Sequence, residues 1–268
     1  MPHLVHNKSK LHYRVIGCGE KVLLAFHGYG QNSKYYLPME KALGDDYTIY
    51  AFDLFFHGKS HLQKQDAPLT KVYLTEAILQ FLEQHSIGQF SVMGFSMGGK
   101  FALTLAEQLP ERIEELFLIA PDGIKTSFWY NIATYPGWMQ QFFKRTVLKP
   151  NGFFKILRVF NKYKIVHKSV VRFAHSQMDT TTKRLRVYRS WISFRELSFD
   201  RKVLIQTLNR HQIPVTMFLG EFDKVIAPKQ LHGFVNALTN GELVILKTGH
   251  SHLLLEVAEL LHKRKSKV

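Results

Sequence analysis

The chain has 268 residues, of which 46% are hydrophobic and 13% aromatic, and its formal net charge is +15. This composition is typical of a folded globular protein, and no run approaches the roughly 18 apolar residues that a membrane-spanning helix requires. The first residues lack the apolar core of a signal peptide and the chain has one cysteine, Cys18. We therefore expect a cytoplasmic protein without an internal disulfide.

Short apolar runs alternate with helical patterns along the first 122 residues. The apolar runs are KVLLAFHG, YTIYAFDL, QFSVMGFS and IEELFLIAPDG, and helical spacing occurs at 35–43, 73–85 and 98–108. The alternation returns in IPVTMFLGEFD and GELVILKTGH, and a helix is predicted through SHLLLEVAELLHKRK. Strands that alternate with helices predict a mostly parallel sheet, and HYRVIGCGEK predicts an antiparallel strand and turn at the sheet edge.

The alternation stops between residues 123 and 199. This segment is rich in aromatic residues and contains fifteen Lys and Arg against two acids, whereas the rest of the chain has 21 bases and 19 acids. Its patterns predict irregular helices. We therefore predict an α/β core formed by residues 1–122 and 200–268, and a basic, aromatic-rich helical cap inserted at residues 123–199.

One serine lies among glycines where an apolar run meets a helical pattern, in the stretch GFSMG from Gly94 to Gly98. A G-x-S-x-G sequence between a strand and a helix is typical of a nucleophile elbow, in which the serine takes a strained backbone conformation on a sharp turn. Side chains two residues before and after it would collide with the neighbouring strand and helix. The pattern predicts Ser96 as a nucleophile, although a phosphate-binding or merely close-packed turn is also compatible with it.

A serine hydroxyl needs a base to accept its proton, and the chain has fourteen histidines. His250 is the candidate we favour because it directly follows an apolar run and would lie at the carboxyl end of a strand, the same sheet edge as Ser96. His252 is its nearest competitor, but two residues further along a starting helix its side chain would point elsewhere.

The imidazole in turn needs an acid that fixes its tautomer and stabilises its protonated form. Asp223 in GEFDKVIAP follows the preceding strand and is our first candidate, and Asp122 in APDG is the second. Asp53 is a third, but it is expected to organise its own turn. The chain order Ser96, Asp223, His250 is the order expected when a nucleophile elbow carries such a triad.

The stretch HGYG, His27 to Gly30, follows the first buried strand. Its backbone could direct the N–H of Tyr29 into the space above Ser96, where the N–H of Met97 at the helix start would complement it. Two such donors would form an oxyanion hole.

These motifs together resemble the α/β-hydrolase family. FHGYG, FDLFFHGKS, GFSMGGK, GEFDKVIAP and GHSHLLLE stand in the family's order, over about 12–121 and 214–262. The resemblance implies an α/β-hydrolase fold with a mostly parallel eight-stranded sheet and a cap inserted after the sixth strand. It also implies Ser96 as nucleophile, His250 as base, Asp223 as acid, and the Tyr29 and Met97 amides as oxyanion hole. Phe55 and Phe56 depart from the smaller residues or proline common in the family.

Serine at the elbow favours acyl transfer, because relatives that open epoxides or remove halide use aspartate there. We predict a serine hydrolase that cleaves a carboxylic ester or thioester without a metal or an organic cofactor. Two alternatives stay open: a carbon–carbon bond hydrolase acting on a dienoic diketone, and a lipase or lysophospholipase acting at an anionic lipid surface. Aromatic residues of the predicted cap could line an acyl pocket or simply pack: Phe128, Trp129, Tyr130, Trp138, Phe142 and Phe143.

The concentrated positive charge has three interpretations. It can be a solvated face, a docking surface for an acidic carrier protein, or a contact with anionic lipid. HGYG and GFSMGG are similar to motifs of carboxylesterases that act on carrier-bound methyl esters. Nucleic-acid binding is disfavoured, because no zinc, helix-turn-helix or RNA-binding signature accompanies the charge.

Overall fold

The computed structural model of the chain describes residues 2–64, 67–125, 134–163 and 176–266. The chain divides into two compact units, one of residues 1–63, 70–125 and 197–268, the other of residues 64–69 and 126–196. None of the helices within the described ranges has the length and apolar character needed to cross a membrane. The assignment of residues 123–199 as a cap stays a prediction.

The first unit contains an eight-stranded, mostly parallel sheet, which confirms the predicted fold class. The strands are β1 (His3–His6), β2 (Ser9–Ile16), β3 (Lys21–Phe26), β4 (Tyr47–Phe52), β5 (Phe90–Phe95), β6 (Ile113–Ile119), β7 (Val215–Gly220) and β8 (Gly241–Leu246). Their order is β1-β2-β4-β3-β5-β6-β7-β8, with β3 to β8 parallel. Because the strands β3 to β8 are parallel, their carboxyl ends lie at the same edge of the sheet.

The sequence-based placement of the edge strand is wrong by one strand. β2 is antiparallel to β4, as expected, but β1 pairs with its other side and forms the edge of the sheet. Asn7 and Lys8 connect β1 and β2 with positive φ angles of 46° and 63°. Two consecutive residues in this conformation form a tight hairpin turn whose twist matches that of the strands.

The helices of the first unit follow the predicted alternation. They are α1 (Glu40–Leu43), α2 (Lys71–Gln84), α3 (Gly98–Gln108), α7 (Arg201–Arg210), α8 (His232–Val235) and α9 (Leu253–Lys265), with 3-10 helices at Ser33–Met39, Pro110–Arg112, Pro228–Gln230 and His250–His252. The helical pattern predicted at 35–43 is divided into a 3-10 helix and the short α1. Pro38 lies inside that 3-10 helix and lacks the N–H that a regular α-helix would use there.

Local sequence explains where α2 begins and why it packs on the sheet. The side chain of Thr70 accepts a hydrogen bond from the N–H of Tyr73 and caps the first turn. Leu74, Ile78 and Phe81 recur at helical spacing and are buried. This apolar face anchors α2, and its burial provides more stability than the single cap.

The second unit contains α4 (Gly137–Leu148), α5 (Pro150–Lys162) and α6 (Thr181–Ser193), with a 3-10 helix at Phe194–Glu196. Val147, Tyr188 and Ile192 form its buried cluster. Arg184 is also buried and donates hydrogen bonds to the carbonyls of Val147 and Met178. Arg184 therefore links the end of α4 to α6, and this basic side chain stabilises the packing of the second unit.

Candidate active site

Ser96 lies on the turn between β5 and α3, with a φ angle of +51°. Its flanking glycines are required by close contacts. A Cβ at Gly94 would lie 2.8 Å from the Cβ of Ala102, and one at Gly98 would lie 1.9 Å from the carbonyl oxygen of Phe26. The turn therefore brings the start of α3 against the end of β3 at a distance that only glycine permits.

Backbone hydrogen bonds hold Ser96 in this strained conformation. Its N–H donates to the carbonyl of Ile119 at 2.9 Å. Its carbonyl accepts from the N–H groups of Gly99 and Asp122, each at 2.8 Å. These bonds to α3, to the end of β6 and to the loop after it offset the cost of the positive φ and fix the direction of the Ser96 side chain.

His250 lies in the loop after β8, and its Nε2 is 3.0 Å from the Ser96 Oγ. The imidazole is 20% exposed, so the pair is accessible to solvent. The ring of Phe95 packs against it with centroids 5.1 Å apart. The hydroxyl of Tyr35 donates to the carbonyl of Ser251 at 2.7 Å, which anchors the loop that carries His250.

Asp223 lies in the loop after β7, and its carboxylate is fully buried. Its Oδ2 is 2.6 Å from His250 Nδ1. Its Oδ1 accepts from the N–H groups of Val225 and Ile226 at 2.7 and 2.9 Å. Because a carboxylate can only accept, the proton of the neutral imidazole is on Nδ1, and the lone pair of Nε2 faces the Ser96 hydroxyl.

The loops that carry Asp223 and His250 are joined to each other. The N–H of Phe222 donates to the carbonyl of Thr248 at 3.1 Å. Gly220 at the end of β7 also approaches this carbonyl so closely that a Cβ there would lie 2.6 Å from its oxygen. The register between β7 and β8 therefore sets the distance between Asp223 and His250.

The side chains of the alternative candidates are not part of this hydrogen-bonded arrangement. Asp122 accepts a hydrogen bond from the N–H of Gly123. Asp53 accepts from the N–H groups of Ser33 and Lys59 at 2.6 and 2.8 Å, and so it organises its own turn. His252 is exposed, at the start of the last helix. The side chains of Asp122, Asp53 and His252 therefore take no part in the hydrogen bonds that join Ser96, His250 and Asp223.

The loop after β3 lies beside the start of α3, because Gly98 contacts the last carbonyl of β3. His27 is completely buried in this loop. Its Nδ1–H donates to the carbonyl of Gly28 at 2.7 Å, and its Nε2 accepts from the N–H of Leu54 at 3.0 Å. The His27 side chain thus fixes the loop that carries Tyr29. This role of His27 is not among the predicted ones, although a histidine at the carboxyl end of a buried strand is a usable sequence signal.

Burial lowers the pKa of His27 to about 4, against the opposing effect of its hydrogen bond to Gly28. In the unfolded chain the imidazole takes up a proton near pH 6.5, whereas in the folded protein it stays neutral until about pH 4. We therefore expect this residue to reduce the free energy of unfolding by about 3 kcal/mol as the pH falls through that interval. Urea unfolding at several pH values should show that the free energy of unfolding falls more steeply with decreasing pH in the native chain than in His27→Gln. An equal pH dependence in the two proteins would contradict the assignment.

Within residues 2–64, 67–125, 134–163 and 176–266, no three His, Cys, Asp or Glu side chains are grouped so that they could hold a metal ion. Of the predicted cap aromatics, Phe128, Trp129 and Tyr130 lie outside the described residues. Phe143 packs against Tyr188 and Trp191 inside the second unit.

Comparisons with known proteins agree with this architecture. The chain is 32% identical over 114 residues to a dihydrolipoyllysine-residue acetyltransferase component of an acetoin cleaving system from Cupriavidus necator, covering 42% of this chain and 30% of that protein. It is 25% identical over 253 residues to a pimeloyl-[acyl-carrier protein] methyl ester esterase from Stenotrophomonas maltophilia, covering 91% of each chain. The crystal structure of a hydrolase from Pseudomonas aeruginosa superposes with a TM-score of 0.68 at 22% identity, covering 99% of this chain and 97% of the other.

The family profile of the alpha/beta hydrolase fold matches residues 21–257. This range extends from the first parallel strand, through the turn of Ser96 and the loop of Asp223, to the last helix. With the strand order and the nucleophile-elbow geometry, it shows that the chain belongs to the α/β-hydrolase fold family.

Proposed function

We propose that the chain is a serine hydrolase that cleaves a carboxylic ester or thioester through an acyl-enzyme intermediate. The observation that carries the proposal is the continuous hydrogen-bonded chain from Ser96 through His250 to Asp223, with distances of 3.0 and 2.6 Å. The methyl ester esterase from Stenotrophomonas maltophilia, aligned over 91% of this chain, supports ester hydrolysis as the reaction.

In the first half-reaction His250 Nε2 accepts the hydroxyl proton of Ser96 while Oγ attacks the substrate carbonyl carbon. The resulting oxyanion is stabilised by the N–H groups of Met97 and Tyr29. Met97 precedes the first turn of α3, where the helix dipole also favours negative charge. His250 then donates its proton to the leaving alcohol or thiol, and the bond from the carbonyl carbon to the leaving group breaks.

In the second half-reaction water attacks the acyl-enzyme and gives its proton to His250. The carboxylic acid leaves and the proton returns to Ser96 Oγ. Asp223 holds the imidazole in the tautomer that both steps need. Its second oxygen accepts hydrogen bonds from the Val225 and Ile226 amides, which oppose rotation of the carboxylate away from His250.

Fluorophosphonate labelling tests this proposal directly. The reagent should attach to Ser96 Oγ with loss of fluoride, and peptide mapping should locate one adduct on the peptide that contains Gly94 to Gly98. Ser96→Ala should take up no label and should lose hydrolysis of p-nitrophenyl esters. Labelling at another residue, or equal ester turnover by Ser96→Ala, would contradict the proposal. A dienoic diketone assayed beside the ester panel separates carbon–carbon bond hydrolysis from ester cleavage.

A further inference from the structure

The second unit carries the excess positive charge in an unusual form. Residues 123–178 contain ten Lys and Arg and no Asp or Glu. The first acid after Asp122 is Asp179, which pairs with Lys183. The bases of α4 and α5 are therefore not balanced by acids of their own segment. An unbalanced charge distribution of this kind indicates the charge of a binding partner and says little about the fold.

The face of α4 that packs against α6 contains the apolar side chains that hold the helix in the second unit. Phe143 and Val147 pack against Tyr188 and Ile192 of α6. These contacts bury the apolar face that an amphipathic helix requires. Any further bulky apolar side chains on the opposite face of α4 are therefore not needed for the packing of the second unit.

The opposite face nevertheless carries such side chains. Trp138 is 70% exposed, and Phe142 lies exposed one turn after it. Leu148, the last residue of α4, is 75% exposed on the flank of this face. Arg145 is exposed on the same face, because positions 138, 142 and 145 follow the helical repeat, and Lys149 is exposed directly after the helix. This face therefore combines aromatic and aliphatic groups with bases.

The next helix continues the pattern. Lys155, Arg158, Val159 and Lys162 of α5 are exposed on one face, and Tyr163 directly after the helix is 68% exposed. A solvated helix face would carry polar residues of both signs. We refer to the exposed side chains of α4, α5 and the flanking residues as the basic apolar face: Trp138, Phe142, Arg145, Leu148, Lys149, Lys155, Arg158, Val159, Lys162 and Tyr163.

We propose that the basic apolar face binds the surface of an anionic phospholipid membrane. Lys and Arg would pair with lipid phosphates, while Trp138, Phe142 and Leu148 would insert at the boundary between headgroups and acyl chains. Exposed bases beside Trp, Phe and Leu at one helix are the composition that interfacial helices use. An acidic carrier protein would satisfy the bases, but it gives less reason for three bulky apolar groups to be solvent-exposed. The proposal goes beyond ester hydrolysis, because lipid binding needs no catalysis.

Vesicle co-sedimentation tests it with the full chain carrying Ser96→Ala, so that no lipid is hydrolysed. We expect binding to vesicles of phosphatidylglycerol mixed with phosphatidylcholine, and much weaker binding to pure phosphatidylcholine. Binding should fall as NaCl rises from about 0.05 to about 0.5 M, because surface charges are screened. Equal binding to both vesicle types, or no binding to the anionic ones at low salt, would overturn the proposal.

Two sets of substitutions separate the basic apolar face from net charge. Each base near an anionic surface contributes roughly fivefold in affinity, so Arg145→Glu with Lys149→Glu and Lys155→Glu should weaken vesicle binding at least about a hundredfold. The matched control is Lys10→Glu with Lys202→Glu and Lys247→Glu, which changes the net charge equally at exposed positions of the first unit. Comparable losses in both triple variants would overturn the proposal.

The apolar contribution has its own readout. The tryptophan emission of the chain should shift to the blue on vesicle binding. Because the chain has two other tryptophans, most but not all of the shift should be lost in Trp138→Phe. Trp138→Ser with Leu148→Ser should weaken binding about tenfold or more while retaining its salt dependence. Tight binding to a holo-acyl carrier protein without vesicle binding would favour the carrier as partner and overturn the lipid assignment. All these measurements are independent of ester turnover, so their failure would leave the proposed reaction untouched.

Discussion

Replacing His250 with alanine should lower kcat for a p-nitrophenyl ester by about four orders of magnitude. The imidazole Nε2 lies 3.0 Å from Ser96 Oγ, and among the described residues it is the one side-chain hydrogen-bond partner of that hydroxyl. Without it the hydroxyl proton has no acceptor, and the leaving group has no proton donor. The effect should fall on kcat rather than KM, because the interaction is needed in the transition state.

His252→Ala is the matched control, since it removes an imidazole two residues away in the same short 3-10 helix. His252 is exposed and lies outside the Ser96 to Asp223 hydrogen bonds. We expect this variant to retain kcat within a factor of about three, because an exposed side chain without a contact to the triad contributes little to stability or to the position of His250. A large loss in His252→Ala together with near-normal turnover in His250→Ala would reverse the assignment of the base. Equal unfolding midpoints in urea would show that neither variant is misfolded.

Much of the fold follows from the sequence because parallel strands are buried on both faces. Such strands appear as short continuous apolar runs, as in KVLLAF for β3 and VTMFLG for β7, and the helices between them repeat every three or four residues. β1 was missed because four residues at the sheet edge, HLVH, carry too little periodicity to be distinguished from a loop. The 3-10 helix before α1 was missed for a different reason, because Pro38 leaves the apolar spacing unchanged.

The convergence of Ser96, Asp223 and His250 was predictable from topology. Each follows a parallel strand, and the carboxyl ends of neighbouring parallel strands lie at one edge of the sheet. The supporting side chains were not predictable in the same way. Tyr35 reaches the carbonyl of Ser251 across 216 positions of sequence, and no local pattern encodes that contact. His27 shares its motif with Tyr29, but only the three-dimensional arrangement shows its bond from the Leu54 amide.

Among substitutions that add one methyl group to a glycine of the nucleophile elbow, Gly98→Ala should reduce stability the most. A Cβ at this position would lie 1.9 Å from the carbonyl oxygen of Phe26, which is backbone at the end of a central strand. No rotamer change relieves such an overlap, so α3 must move away from β3. We expect the free energy of unfolding to fall by at least about 3 kcal/mol.

Gly137→Ala is the matched control, because Gly137 also occupies the first position of a helix. Beyond its chain neighbours and its own helix backbone, no atom of the described residues lies within 4 Å of the added Cβ. Alanine has the higher helix propensity, so this variant should keep its stability or gain up to about 1 kcal/mol. The same change at equivalent helix positions therefore has opposite expected signs, and only the approach of β3 to α3 distinguishes them. If urea unfolding gave the two variants equal stability, that close approach would be absent in solution. Ester turnover provides a second measurement, since a shift of about 1 Å in the Ser96 turn should cost Gly98→Ala roughly a hundredfold in kcat even in the fraction that remains folded.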